Sequence, residues 1–483
     1  MGHPPDDALL EALHRDIAAL RERVEKEGEA RFIGWLPHLK RSSFLQPARN
    51  LADYLALRQH DLCSLQRELA RLGLSSLGRA ESRVRENLDA VLATLSRALG
   101  LGAPPYPQPE DFFAGEAHLQ GVSRELFGPG EDPCILVTLP EEAASDPQLV
   151  LRLVEAGMTA ARINLGHGHP PLWEGMVAQV RRAVPSQPIP ILMDLSGPRL
   201  RLLAVRAEGR IFPGHLLELT AEPQVQSPHS FQATLGDPKA LASLRVGHRV
   251  FIDEGRLGAL VEEVGPGKAL LRVVHTPPKG FKLRPEKGVN LPDTPWPREP
   301  LTPKDLADLD FVAQHADLVG YSFVEEAGDV ERLLAELASR KPQRLRGLVL
   351  KVETAKAVRN LPELLVRAAG SWPTAIMIAR GDLAVELGYE GLAEMQEEIL
   401  WLAEAASIPV IWATQVLDRL VKKGTPSRAE VSDAVLAARA ECVMLNKGAF
   451  LEEAIRMLWE VLSRIREHQY KKTPRMRRLE MWS

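Results

Sequence analysis

Cysteine is scarce. The 483 residues hold only Cys63, Cys134 and Cys442, far apart and without CxxC spacing, which argues against a zinc site or a disulfide framework and suits a reducing cytosol. Basic residues are not in excess either: a formal net charge of −4 is not that of a protein that adheres as a whole to nucleic acid. No run approaches the roughly 20 apolar residues of a membrane span. The N-terminus, MGHPPDDALLEALHRD, is acidic and amphipathic rather than an apolar secretory core. These absences suit a soluble, cytoplasmic protein, and neither nucleic acid nor membrane is expected among its partners.

Apolar material is plentiful. At 45% hydrophobic residues the chain can bury a large core in more than one domain. Up to about residue 105 the spacing is helical: Leu10, Leu13, Ile17, Leu20 and Val24 step by three and four. Leu55, Leu62, Leu65, Leu69 and Leu72 follow in multiples, then Val84, Leu88, Val91, Leu95 and Leu99. Three or four amphipathic helices are expected, packed on the main body as a subdomain, since the stripes are too short for a coiled coil. The proline-rich stretch APPYPQPEDFF, 103–113, reads as a linker.

From residue 134 short apolar runs recur: CILVTL (134–139), AARINL (160–165), PILMDL (190–195), LVGYSF (318–323), LVLKVE (348–353), AIMIARGD (375–382), PVIWATQ (409–415) and CVMLNKG (442–448). Helical periodicity fills most gaps, so the pattern predicts an α/β fold, a (β/α)8 TIM barrel. The long gap after the third run holds HLLELTA, RVFIDEG and ALLRVVHT with Gly and Pro between them. It predicts a small β-rich lid domain inserted after strand 3, over the barrel mouth. The expected organisation is a helical extension and linker at 1–130, a barrel at 131–201 and 290–470, a lid at 202–289 and a tail at 471–483.

Barrel active sites lie at the C-terminal ends of the strands. The residues closing these runs are Arg162 and Asn164, Asp194, Ser322, Lys351 and Glu353, Arg380 and Asp382, Thr414 and Gln415, and Asn446 and Lys447. One such residue could be a strand end meeting solvent. Their occurrence on nearly every strand points to a convergent site instead. In GLVLKVETA, Lys351 and Glu353 stand two apart, which on a strand sends both to the same side.

Eight stretches together resemble one family. GMTAARINLGHG (157–168), MDLSGPRLR (193–201), VFIDEG (250–255), KGVNLP (287–292), LVLKVET (348–354), IMIARGDLAVE (376–386), IWATQVL (411–417) and TPSRAEVSDAV (425–435) resemble pyruvate kinase in order and spacing, over about residues 132–462. The resemblance implies a phosphotransferase that converts phosphoenolpyruvate and ADP to pyruvate and ATP. It assigns Glu353 and Asp382 to Mg²⁺ or Mn²⁺, and Lys351, Arg162 and Thr414 to catalysis. Arg162, Arg201, Lys351, Thr414 and the Arg380, Gly381 and Asp382 segment bind the substrate. Asn164, His167 and Lys287, with Asp253 or Glu254 of the lid, are candidates for nucleotide contacts. The family's C-terminal regulatory domain is expected to be missing, and a homo-oligomer stays open.

The departures carry expectations too. Members that need K⁺ hold it at positions matching Asn164, Gly166, Asp194 and Leu195, and two of those side-chain ligands are absent here. Arg199 falls where K⁺-independent members carry a lysine, so its fixed charge is expected to replace K⁺. NKGA (446–449) stands where the family has a run whose glutamate pairs with the phosphoryl-binding arginine, and Ser196 replaces a lysine. Two other readings remain: a metal-dependent lyase or aldolase acting on a pyruvate enolate, and a regulatory protein with a vestigial site.

Overall fold

The computed structural model describes residues 7–129, 134–185, 188–223 and 228–474. Of the expected C-terminal tail, residues 475–483 lie outside the described ones. The N-terminal region folds into α1 (Asp7–Trp35), α2 (Leu45–Leu57), α3 (Cys63–Arg71), α4 (Val84–Ala98), the short α5 (Pro109–Phe112) and α6 (Ala114–Phe127). Leu10, Leu13, Ile17, Leu20 and Val24 form the buried face of α1. At Gly28 the same face meets α2 so closely that a Cβ would lie 2.0 Å from Asp53 Oδ1. The series from Leu55 to Leu72 is divided between α2 and α3, with a break at 58–62. The proline-rich 103–113 stretch holds α5.

These helices share a core with the barrel. The buried apolar residues of α1–α4 belong to one cluster that runs from Leu10 through the barrel's outer layer to Leu462. Asn50 spans the join: its Nδ2 donates to Glu81 O at 2.6 Å and Ala405 O at 2.8 Å, and its Oδ1 accepts from Val84 N at 3.0 Å. A buried amide so fully used costs little to bury and much to lose. Trp35 Nε1 donates to Glu363 at 2.7 Å, and the Lys40 and Arg41 N–H groups both reach Gly370 O at 2.8 Å.

The barrel begins with β1 (Cys134–Thr138), β2 (Ala160–Asn164) and β3 (Ile191–Asp194). The lid follows as β4 (Leu202–Ala207), β5 (Leu216–Thr220), β6 (Phe231–Leu235), β7 (Arg249–Ile252), β8 (Leu257–Gly265), β9 (Lys268–His275) and β10 (Val289–Asn290). The barrel resumes with β11 (Leu318–Tyr321), β12 (Gly347–Val352), β13 (Thr374–Ala379), β14 (Val410–Ala413) and β15 (Cys442–Leu445). It closes in the order β1-β2-β3-β11-β12-β13-β14-β15. Every pair is parallel, β15 to β1 included. Strands covered on both faces read as continuous apolar runs rather than alternating ones, which is why eight runs were visible in the sequence.

Inside the barrel Leu136, Leu192, Val349, Met377, Ile411 and Met444 pack in layers, and Val122, Leu126 and Phe127 of α6 close the floor. Gly347, opening β12, makes room for that plug: a Cβ there would fall 2.2 Å from Leu126 Cδ2. The lid is a seven-stranded sheet with its own core, including Leu217, Leu219, Ile252, Leu257 and Leu271. Its entry and exit strands touch, Arg201 bridging to Gly288. After the helix Leu451–His468 a hairpin, β16 (Gln469–Tyr470) and β17 (Thr473–Pro474), lies by the barrel floor. There Lys471 pairs with Glu441 of the barrel and Lys472 with Glu81 of the N-terminal region.

Candidate active site

The strand ends meet in a cavity of about 260 Å³. Arg162, Asn164 and His167 reach it from the end of β2, Arg199 and Arg201 from the base of the lid, Lys351 and Glu353 from β12, Gly381 and Asp382 from beyond β13, and Thr414 from beyond β14. Asp194 lies beneath them. Arg162 donates from Nε to Asp194 Oδ2 at 2.9 Å and from Nη1 to Thr138 Oγ1 at 3.0 Å. Lys351 Nζ stands 3.0 Å from Glu353 Oε1 and 3.4 Å from Asp194 Oδ2, and donates to Ser322 Oγ at 2.6 Å. Ser322 in turn donates to Leu195 O at 2.6 Å, and Glu353 Oε2 accepts the Phe323 N–H at 2.6 Å.

Asp194, Glu353 and Lys351 are 1%, 3% and 9% exposed, so these charges act on one another with little screening. Burial alone would push the Asp194 carboxyl up, yet Lys351 and Arg162 hold it below the ordinary carboxylate range. Burial works against the Lys351 ammonium, and Asp194 and Glu353 outweigh it, so the group stays charged with its pKa raised. Glu353 moves the other way. Burial pushes it up, Lys351 opposes, and the Asp382 carboxylate adds to the rise. Two carboxylates that repel each other at one wall of a polar cavity are a setting that a divalent cation relieves.

Two features of the backbone hold this arrangement. Gly320 in β11 leaves room for Asp194, because a Cβ would lie 2.4 Å from Asp194 Oδ1, an oxygen with no hydrogen-bond partner among the described residues. Thr414 sits at φ +63°, a left-handed conformation costing on the order of 1–3 kcal/mol for a residue with a side chain. In it the Thr414 hydroxyl accepts the Gly381 N–H at 2.8 Å. That N–H belongs to the first turn of the first of two helices that span Arg380–Ala405 and meet at a kink at Gly388 (φ +78°); its N-terminus opens on the cavity and favours anions there.

Three expected residues are placed differently from the rest. The Arg380 side chain turns away from the cavity: it bonds Ala413 O at 2.9 Å, Thr414 O at 2.6 Å and Asp433 Oδ2 at 2.9 Å, and lies over the Trp412 ring. It thereby anchors the Thr414 backbone. Asp433 comes from SRAEVSD, in which Ser427 and Glu430 form the capping box of the helix Arg428–Ala437. Lys287 pairs with Asp253 at 2.8 Å inside the lid, while Glu254 lines the cavity. His167 is exposed at the rim, its imidazole held below its ordinary pKa by partial burial and by Lys447 and Arg201.

The departures also find places. Arg199 Nη2 stands 3.2 Å from Asp382 Oδ1. Asn164 Oδ1 accepts the Gly166 N–H at 3.0 Å. Lys447 faces Glu141 at 3.7 Å, and Asn446 accepts from Thr138 at 3.4 Å. Thr138, which positions Arg162, was not among the expected residues, although it closes β1 as the others close their strands. The Phe323 N–H has no signature in the side-chain pattern.

The chain matches the family described as the barrel domain of pyruvate kinase over residues 132–455. It is 32% identical over 325 residues to pyruvate kinase PKLR of Rattus norvegicus, covering 63% of this chain and 55% of that protein. To pyruvate kinase of Methylorubrum extorquens it is 34% identical over 324 residues, 65% of this chain and 64% of the relative. To that of Mycobacterium intracellulare it is 33% identical over 345 residues, 69% and 70%. The chain thus spans between about half and two thirds of the length of several of these proteins. Aligned through a barrel whose strand ends gather in one cavity, the chain belongs to the pyruvate kinase family.

Proposed function

We propose that this cavity transfers the phosphoryl group of phosphoenolpyruvate to ADP, giving pyruvate and ATP. The observation that carries the reading is the buried Lys351 ammonium, held between Asp194 and Glu353 beside an arginine and a helix N-terminus. Phosphoryl transfer asks for charge neutralisation and positioning more than covalent chemistry, and that is what these groups offer. Arg162, fixed by Asp194 and Thr138, directs a guanidinium at the phosphoryl oxygens. Lys351 stabilises the enolate oxygen as the C–O–P bridge breaks. The N–H groups of the helix turn that begins at Arg380 receive the substrate carboxylate, and the Thr414 hydroxyl positions the water that protonates the methylene carbon.

Glu353 and Asp382 would hold Mg²⁺ or Mn²⁺, their mutual repulsion being the fit between this donor set and a hard cation. Among the described residues no group of three or more His, Cys, Asp or Glu is placed to hold a metal; the two carboxylates would leave the remaining positions of such an ion to substrate oxygens and water. When bound, the ion supplies charge neutralisation at the phosphoenolpyruvate oxygens. Arg199 takes the place of K⁺, its guanidinium already paired with Asp382. Among the described residues no helix is long and apolar enough to cross a membrane; the cytoplasmic setting belongs to the same proposal.

A coupled turnover assay with phosphoenolpyruvate and ADP tests the function. Pyruvate should form with Mg²⁺ and not after its chelation, and no turnover under either condition would reject the reading. The same assay in sodium-only buffer should keep its rate, whereas a strict need for added K⁺ would rule out the role given to Arg199. Mg²⁺-dependent ADP binding separates the alternatives: a lyase has no use for ADP, and a vestigial site would bind it without turnover.

A further inference from the structure

At the opposite end of the barrel from the active site lie two thiols. Cys134 opens β1 and Cys442 opens β15, the first and last strands, whose pairing closes the barrel. The register sets these two residues directly opposite each other. Neighbouring strands run about 4.8 Å apart, which lies inside the 4.4–6.8 Å Cα separation of protein disulfides. Both side chains point inward, into the floor layer with Leu136, Met444 and Phe127 of α6, so their Cβ atoms face the same way. The sulfurs are in contact, and both cysteines are free. Chance would seldom put two of three cysteines, 308 residues apart, in one register pair.

A route to them exists from one side. A cavity of about 610 Å³ runs beneath the floor, bordered by Cys134, α6 and the residues before β3. Cys134 keeps 8% exposure towards it, whereas Cys442 is fully buried. We propose that Cys134 and Cys442 form a dithiol site that reacts with low-molecular-weight disulfides and becomes an interstrand disulfide across the barrel's closing seam. Cys134, as thiolate, attacks one sulfur of the small disulfide, breaking its S–S bond and releasing one small thiol. Cys442 then attacks Cys134 Sγ, forming the protein disulfide and releasing the second. The protein gives up two electrons and two protons, and the small disulfide is reduced to two thiols. Burial and the neighbouring Cys134 sulfur push the Cys442 thiol well above its ordinary pKa, consistent with Cys134 reacting first.

The test treats the native protein with excess 2-hydroxyethyl disulfide, quenches with acid, alkylates the denatured chain and maps the peptides by mass spectrometry. The exposed Cys63 is an internal control that should carry a mixed disulfide. The alkylated Cys134 and Cys442 peptides should disappear together, replaced by a cross-linked pair lighter by two hydrogen atoms and split by reduction. Both remaining alkylated while Cys63 is modified would overturn the proposal, as would a lasting mixed disulfide on Cys134 beside an alkylated Cys442. In Cys442→Ser the first step should be trapped as a mixed disulfide on Cys134; an unmodified Cys134 in that folded variant would also count against it. If the variant does not fold, the wild-type map decides alone.

Discussion

Lys351 is the residue on which the site's charge balance turns. It faces Asp194 and Glu353 at 3.4 and 3.0 Å, so Lys351→Met would leave two carboxylates short of their cation. The expected outcome is a loss of kcat of about 10²–10³-fold, the usual effect of removing one electrostatic stabiliser. Stability should also fall by roughly 3–5 kcal/mol at neutral pH, read by denaturant titration, as for a broken buried pair. Gly320→Ala tests the same network from behind. Its Cβ would press on Asp194 Oδ1, and a displacement near 1 Å should cost turnover on the order of 10²-fold, with an overpacking penalty of about 1–3 kcal/mol. Full activity in Gly320→Ala would mean that the position of Asp194 does not matter. At this scale the strand-end rule located Arg162, Lys351, Glu353, Asp382 and Thr414 in one cavity, because a period of two and a closed barrel leave those side chains little choice. It could not show that Arg380 would face Asp433, since a strand end fixes where a backbone stops and not where a long side chain goes.

Among the elements, the stretch Arg380–Ala405, two helices joined by a kink at Gly388, works at both ends. Its first turn opens on the cavity, and in its last turn Glu404 lies half-buried near Lys471 of the C-terminal hairpin. Burial pushes the Glu404 carboxyl up to about 7, Lys471 opposing and Glu81 and Glu441 adding to the rise. The folded protein therefore keeps a proton that the unfolded chain releases at lower pH. This contribution is present below about pH 4.5 and is lost as the pH rises through about 7. Glu404→Gln removes the titration: it should stabilise the protein by up to roughly 3 kcal/mol at pH 8 and by little at pH 5. An equal effect at both pH values in paired thermal melts would contradict this. Elements were legible where periodicity was strong, as in the stripe of α1 and in the eight barrel runs. Strands β4, β6 and β8 of the lid were not singled out, because strands of a mixed sheet with exposed stretches, such as LLAVRA in β4 and the VEEVG end of β8, carry neither a continuous apolar run nor a clean alternation.

For the whole molecule, the N-terminal helices and the barrel depend on each other. One apolar cluster crosses between them, and Asn50 ties α2 to both Glu81 and Ala405. Asn50→Leu leaves two carbonyls and the Val84 N–H without partners, and should lower the unfolding free energy by about 2–4 kcal/mol in a single cooperative transition. A separate early transition for the helices would show them to be an independent unit. The sequence showed helices packed on the main body through their stripes, but not the joining contacts, since a lone asparagine within a helix has no pattern to read. Glu353 and Asp382, distant in the sequence, would share one cation. Mn²⁺ binding, followed by electron paramagnetic resonance in the wild type, Glu353→Gln and Asp382→Asn, tests it most directly. One site per chain, weakened at least about tenfold by either substitution, is the predicted result; Mn²⁺ affinity unchanged by both would contradict it.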